Sequence, residues 1–130
     1  MLPSERSAHV WSVLLVDDDL ASAAAIQAEL QSRWFHVVGV EFAPRRLVKV
    51  LPRCRPDLII LNVRDEWPEL DFVIFQAACG GAIVLLAGNH SQSFWANARA
   101  TGIYRLPSVD SPVEIADAAA ELTGLYRHVA

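Results

Sequence analysis

Cysteine is scarce in this chain. Its 130 residues hold two, Cys54 and Cys79, with neither CxxC spacing nor a histidine pattern beside them. That excludes a disulfide framework and a zinc cluster, and it suits the reduced thiols of a cytoplasmic protein. Long apolar runs are missing too. No stretch approaches the roughly 18 residues that a membrane span needs. The opening "MLPSERSAHVW" lacks the charged region followed by an apolar core that marks a secretory signal. Positive charge is in short supply: 11 Lys and Arg stand against 15 Asp and Glu, a net charge of −4, which argues against a broad nucleic-acid-binding surface. The four histidines, His9, His36, His90 and His128, fall in separate segments, so no Ser–His–Asp or Cys–His constellation suggests an enzyme.

What is present is apolar and alternating in type. The hydrophobic fraction is 53% and the charged fraction 20%, the balance of a globular chain and not of a disordered one. There are no repeats, low-complexity tracts or linkers, so the reading is one domain over 1–130 with an ordered core at 12–127. "WSVLLVDDD" opens with an unbroken apolar run, Val13 to Val16, stopped by three acids; such a run suits a strand buried on both faces of a parallel sheet. "LASAAAIQAELQSRW" then carries Ala23, Ile26, Leu30 and Trp34 at spacings of three and four. It reads as an amphipathic helix capped by Asp18 or Asp19. "FHVVGV" is a short second strand. Pro44 suits the first turn of a second helix whose buried side is Leu47, Val48 and Leu51, with Pro52 and Pro56 stopping it.

"DLIILNV" is a third strand, "WPELDFVIFQAA" a helix broken by "CGG", and "AIVLLAG" a fourth strand. "SQSFWANARAT" is a helix closed by Gly102, and "IYRL" a fifth strand ending at Pro107. The last helix starts with Ser111 as cap and Pro112 at its first position, and Ile115, Ala119, Leu122 and Tyr126 share one face. Strict alternation of five strands and five helices means an α/β fold: a five-stranded parallel sheet with helices on both faces. In the flavodoxin-like order 2-1-3-4-5, strands one and three are neighbours where the order reverses, and ligands collect at the carboxyl ends there. Asp17 and Asp18 after strand one should therefore meet Asn62 at the end of strand three.

"VLLVDDD" and "RPDLIILNVR" are the stretches in which the chain resembles the receiver domains of response regulators, the CheY-like phosphoacceptor modules of two-component signalling. The resemblance runs from Ser12 to Leu125. In that family two acids after strand one help to hold Mg²⁺, and Asp17 and Asp18 match them. An aspartate at the end of strand three accepts the phosphoryl group, and Asn62 stands in its place. A Thr or Ser ends strand four, where Leu86 and Ala87 are the candidates here. A lysine precedes the proline after strand five, where Leu106 stands, with Arg105 one position further out.

An amide cannot become an acyl phosphate, so the resemblance is to a degenerate receiver, or pseudo-receiver. It implies no required cofactor, Mg²⁺ held weakly if at all by Asp17 and Asp18, and no catalysis. It also implies action by contact with a regulatory protein partner or a second copy. The family's contact face would include Arg99, Tyr104 and Arg105 and parts of the last helix. The chain reads as a stand-alone module or as the N-terminal domain of a transcription or antitermination regulator, whose DNA- or RNA-binding output would follow it. "GIYRLP" is similar to the degenerate receivers that precede antitermination domains. Two other readings stand beside this one. A small-molecule sensor would use the cleft over Asn62, with Leu86 and Ala87 as an apolar wall and Trp67 and Trp95 at its flanks. A phosphoreceiver with a non-standard acceptor would use Asp65 or Asp57.

Overall fold

A computed structural model describes residues 10–42, 46–62, 80–87, 103–106 and 111–129. In chain order these form β1 (Ser12–Asp17), α1 (Leu20–Ser32), β2 (His36–Glu41), α2 (Leu47–Cys54), β3 (Leu58–Asn62), β4 (Ile83–Ala87), β5 (Tyr104–Leu106) and α3 (Pro112–Val129). The five strands make one sheet in the order β2-β1-β3-β4-β5, and every neighbouring pair is parallel. Both the fold class and the strand order agree with the sequence. The helices expected in "WPELDFVIFQAA" and "SQSFWANARAT" lie outside the described residues.

The apolar runs are unbroken because both sides of the sheet are covered. Successive side chains point to opposite faces of a strand, so each run feeds two cores. One face carries Leu14, Val16, Ile59, Leu61, Val84 and Leu86, and α2 packs on it through Val50 and Leu51. The other carries Val13, Leu15, Leu58, Ile60, Leu85 and Ala87, covered by Ala23, Ile26 and Leu30 of α1 and by Ile115, Ala116 and Ala119 of α3. Burying each Leu or Ile stabilises the fold by about 1.5–3 kcal/mol before the cost of ordering it is counted.

The small residues of α1 and α3 let the two helices lie side by side. Arg33 ties them at the surface: its guanidinium donates to Asp117 of α3 at 2.8 and 3.1 Å and to Glu29 at 2.8 Å. Glu29 first, and then Asp117, push the Arg33 guanidinium above its ordinary range. Arginine is charged throughout the pH range in which proteins fold, so the clasp depends on its two carboxylates and not on Arg33 titrating.

Asp19, one of the two expected caps, is the residue that starts α1. Its Oδ1 accepts from the amides of Ala21 at 2.9 Å and Ser22 at 3.3 Å. Pro112 occupies the first position of α3, and the Ile115 amide reaches the Ser111 carbonyl at 3.2 Å. At the amino-terminal edge of the sheet Ser12 and Asp57 clasp each other. The Ser12 amide and hydroxyl donate to Asp57 Oδ2 at 2.9 and 3.1 Å, and the Asp57 amide donates back to Ser12 Oγ at 3.0 Å.

Two expectations need correcting. The spacing of three and four sets Trp34 on the buried face of the first helix, but the residue is 87% exposed. α1 ends before it, in a Schellman motif: Phe35 N–H reaches the Leu30 carbonyl and Trp34 N–H the Gln31 carbonyl, both at 3.1 Å. That motif needs a left-handed residue, and Trp34 supplies it at φ 69°. Phe35 and Leu30, not Trp34, then close the core at this end. Pro52, expected to stop the second helix, sits inside α2, which runs on to Cys54. In so short a helix it removes one hydrogen bond. The stop comes at Arg55, left-handed at φ 44°, whose amide returns to the Leu51 carbonyl.

A bulky residue in the left-handed region costs about 1 kcal/mol that glycine does not. Trp34→Gly is therefore expected to raise stability by about 1 kcal/mol, read from the urea midpoint at unchanged slope. A fall in the midpoint would show that the exposed indole contributes packing that its position does not reveal.

Candidate functional site

β1 and β3 are paired in parallel with Asp17 opposite Asn62. Two residues 45 positions apart are thereby set side by side at the carboxyl edge of the sheet, as the sequence suggested. Both are buried: Asp17 is 0% exposed and Asn62 8%. The Asn62 amide donates from Nδ2 to Asp17 Oδ2 at 3.0 Å and to Ser22 Oγ at 3.2 Å. Ser22 donates its own hydroxyl to the same Asp17 oxygen at 2.7 Å. The Asp19 amide donates to Asp17 Oδ1 at 3.0 Å. Asp17 is thus a buried anion held by a side-chain amide, a hydroxyl and a backbone N–H, each a charge-assisted bond. The first turn of α1 lies against it, with the positive end of the helix dipole toward the carboxylate.

These bonds fix which end of the Asn62 amide faces inward. Its NH₂ must meet the carboxylate, because the opposite orientation would set oxygen against oxygen. Asp18, paired with Asp17 in the sequence reading, is exposed at the rim. Ser22 was not anticipated. The available signal was modest: it is the one polar residue in "LASAAAI", three positions after the Asp19 cap, where a hydroxyl turned back toward the strand end can reach it.

The remaining positions are ordered by register. Leu61 pairs with Leu86, which sets Ala87 level with Asn62, and Ala87 pairs with Leu106. One row therefore runs Asp17, Asn62, Ala87, Leu106 across four strands. Arg105 pairs with Leu86, one step below it. Leu86 and Ala87 are both fully buried, in opposite cores. Tyr104 on β5 is 37% exposed. Asp57 lies at the far end of β3, engaged with Ser12. Asp65, Arg99, Trp67 and Trp95 lie outside the described residues.

The arrangement does not suit a hard divalent cation. Mg²⁺ asks for six oxygen ligands at about 2.0–2.1 Å in near-octahedral geometry. Here the Asp17 oxygens face hydrogen-bond donors, and Asn62 turns a donor, not an acceptor, into the pocket. Among the described residues no group of three His, Cys, Asp or Glu side chains converges on a point that could hold a metal.

No protein-family model matches the chain, and no curated protein matches it in sequence. Its shape has solved counterparts. It is similar to a CheY-like response regulator receiver domain protein from Methanospirillum hungatei JF-1, with a TM-score of 0.79 at 13% identity, covering 94% of this chain and 100% of that one. The isolated REC domain of RcsB from Salmonella enterica serovar Typhimurium, solved in the presence of phosphomimetic BeF₃⁻, gives 0.71 at 17% identity, covering 89% and 90%. A LuxR-family two-component response regulator from Aurantimonas sp. SI85-9A1 gives 0.72 at 17%, covering 88% and 85%. The chain has the fold of response regulator receiver domains.

Asn62→Asp would set two carboxylates where a hydrogen bond now stands. Like charges about 4 Å apart repel by about 4 kcal/mol at an effective dielectric of 20. The variant is expected to lose about 2–4 kcal/mol of stability at neutral pH. Millimolar Mg²⁺ should restore part of it. Chemical denaturation with and without Mg²⁺ checks this; a variant as stable as the wild type and indifferent to Mg²⁺ would show that the pocket does not hold the two groups together.

Proposed function

We propose that this chain is a receiver-type regulatory module that is not phosphorylated at the usual acceptor position and acts by binding a protein. The observation that carries the reading is the Asn62 amide, seated at the end of β3 and bonded to Asp17. In the receiver fold that place belongs to the nucleophile, and a carboxamide has neither the charge nor the leaving-group chemistry to form and release an acyl phosphate. The row beside it supports the same reading. Ala87 offers no hydroxyl for a phosphoryl oxygen, and Leu106 no cation. With nucleophile, hydroxyl and cation all absent from the row, the equilibrium between conformations is set by a partner and not by phosphate.

The partner is a regulatory protein or a second copy of the chain, meeting β5 at Tyr104 and Arg105, with Arg99, outside the described residues, as a further contact candidate. An output domain beyond α3 fits the same reading. The RcsB response regulator of Salmonella typhimurium, studied for its conformational dynamism in DNA interaction, is longer than this chain, which covers 60% of it at a TM-score of 0.70. The module itself is not an enzyme and works in the cytoplasm.

Incubation of the purified protein with acetyl phosphate and Mg²⁺, followed by intact mass spectrometry, is expected to leave the mass unchanged. A gain of one phosphoryl group would overturn the reading, and mapping it to Asp65 or another carboxylate would replace it with a non-standard acceptor. Sedimentation of Arg105→Glu beside the wild type tests the face. A shift toward the monomer, or loss of a bound partner, is expected, and an unchanged association state would exclude Arg105 from the contact.

A further inference from the structure

Among the described residues the Asp17 carboxylate is met by donors of its own chain, and Ser22 supplies one of them. We propose that Asn62 and Ser22 together replace the divalent cation of a receiver pocket, with Ser22 as the positioning residue that keeps the pocket metal-free. The inference deepens the reading above and rests on it, but it concerns the cation and not the phosphoryl group.

Asp17 is the buried charge that needs offsetting, and each of its oxygens already faces a donor. Oδ1 takes the Asp19 amide, and Oδ2 takes both the Ser22 hydroxyl and the Asn62 NH₂. A cation arriving at Oδ2 would have to displace two donors whose hydrogens point at it. It would also need Asn62 to turn its amide over and present Oδ1.

Ser22 opposes that turn. Its single hydroxyl hydrogen is committed to Asp17 at 2.7 Å, so toward Asn62 it offers only a lone pair, which accepts from Nδ2 at 3.2 Å. A turned amide would set its oxygen against that lone pair. Asp17 alone orients the amide through one oxygen, and a cation bound there would reverse that preference. Ser22 adds a second preference in the same sense for as long as its hydrogen stays on Asp17, so a cation must displace that hydroxyl as well before the amide can turn. Removing the Ser22 hydroxyl takes away a donor to Asp17 and the second lock on Asn62, while leaving the cap on α1, which uses Asp19 Oδ1 and the Ser22 backbone.

The probe is Mn²⁺ alone, followed by water-proton relaxation on the wild type, Ser22→Ala, Ser22→Thr and Asn62→Asp, each confirmed folded by circular dichroism. The wild type and Ser22→Thr, which keeps the hydroxyl, are expected to show no saturable binding at millimolar Mn²⁺. Ser22→Ala is expected to show saturable binding at millimolar Mn²⁺, where the wild type shows none. Asn62→Asp should bind more tightly still. Wild-type binding as tight as that of Asn62→Asp would overturn the proposal, as would an Asn62→Asp variant that does not bind. Ser22→Ala as silent as the wild type, beside an Asn62→Asp variant that binds, would remove Ser22 from the device. None of these results decides whether acetyl phosphate labels the wild type, so the two readings fail separately.

Discussion

The pairing of β1 with β3 is the constraint on which the rest depends. Both strands carry four consecutive apolar residues, Val13 to Val16 and Leu58 to Leu61, and both faces of the sheet are covered. In a sheet with one wet face, a slip of one residue drives apolar side chains into water, so hydrophobicity fixes the register. Here a slip would exchange one apolar side chain for another between two apolar cores, and that penalty is small. Polar residues at the two ends supply what the middle lacks. Ser12 and Asp57 interlock at one edge and Asp17 and Asn62 at the other, so a shifted strand would break both sets of bonds and strand a buried carboxylate. The candidate site and the alignment of the central strands have the same origin.

This gives the asparagine a structural role beside its chemical one. A buried carboxylate requires compensation. In this chain the compensation is covalently attached: an amide from β3, a hydroxyl and a backbone N–H from the start of α1, and the dipole of the helix behind them. The amide from β3 is matched by a hydroxyl on a different element, and the result is a satisfied network.

Much of this was legible in the sequence. Alternating apolar runs and helical periodicities gave the parallel α/β class, because parallel strands need crossovers, and the flavodoxin-like pattern supplied the order. The meeting of Asp17 with Asn62 followed from that topology. Three features were not legible, each because a local rule yielded to a tertiary contact. Trp34 continues the spacing of Ala23, Ile26 and Leu30, yet the core at that end is already filled by Phe35, so the chain turns left-handed and the indole points outward. Pro52 breaks a rule about helix interiors at the cost of one bond in a helix anchored by Val50 and Leu51. Ser22 looked like an ordinary helix residue because nothing in its spacing reveals that a strand 40 positions later sends an amide to it. Asp18, conversely, shares its neighbour's chemistry in sequence and not its place, since adjacent residues at a strand end point in opposite directions.

The union of α1 with α3 has a consequence for how the molecule is made. Ala23, Ile26 and Leu30 share their core with Ile115, Ala116 and Ala119, and Arg33 reaches Asp117 across 84 positions of chain. A polypeptide leaving the ribosome amino end first would present the inner stripe of its first helix long before the segment that shields it has been translated. During that interval the stripe is an adhesive surface, open to chaperones or to neighbouring nascent chains. Delay in translating the α3 segment lengthens that exposed interval.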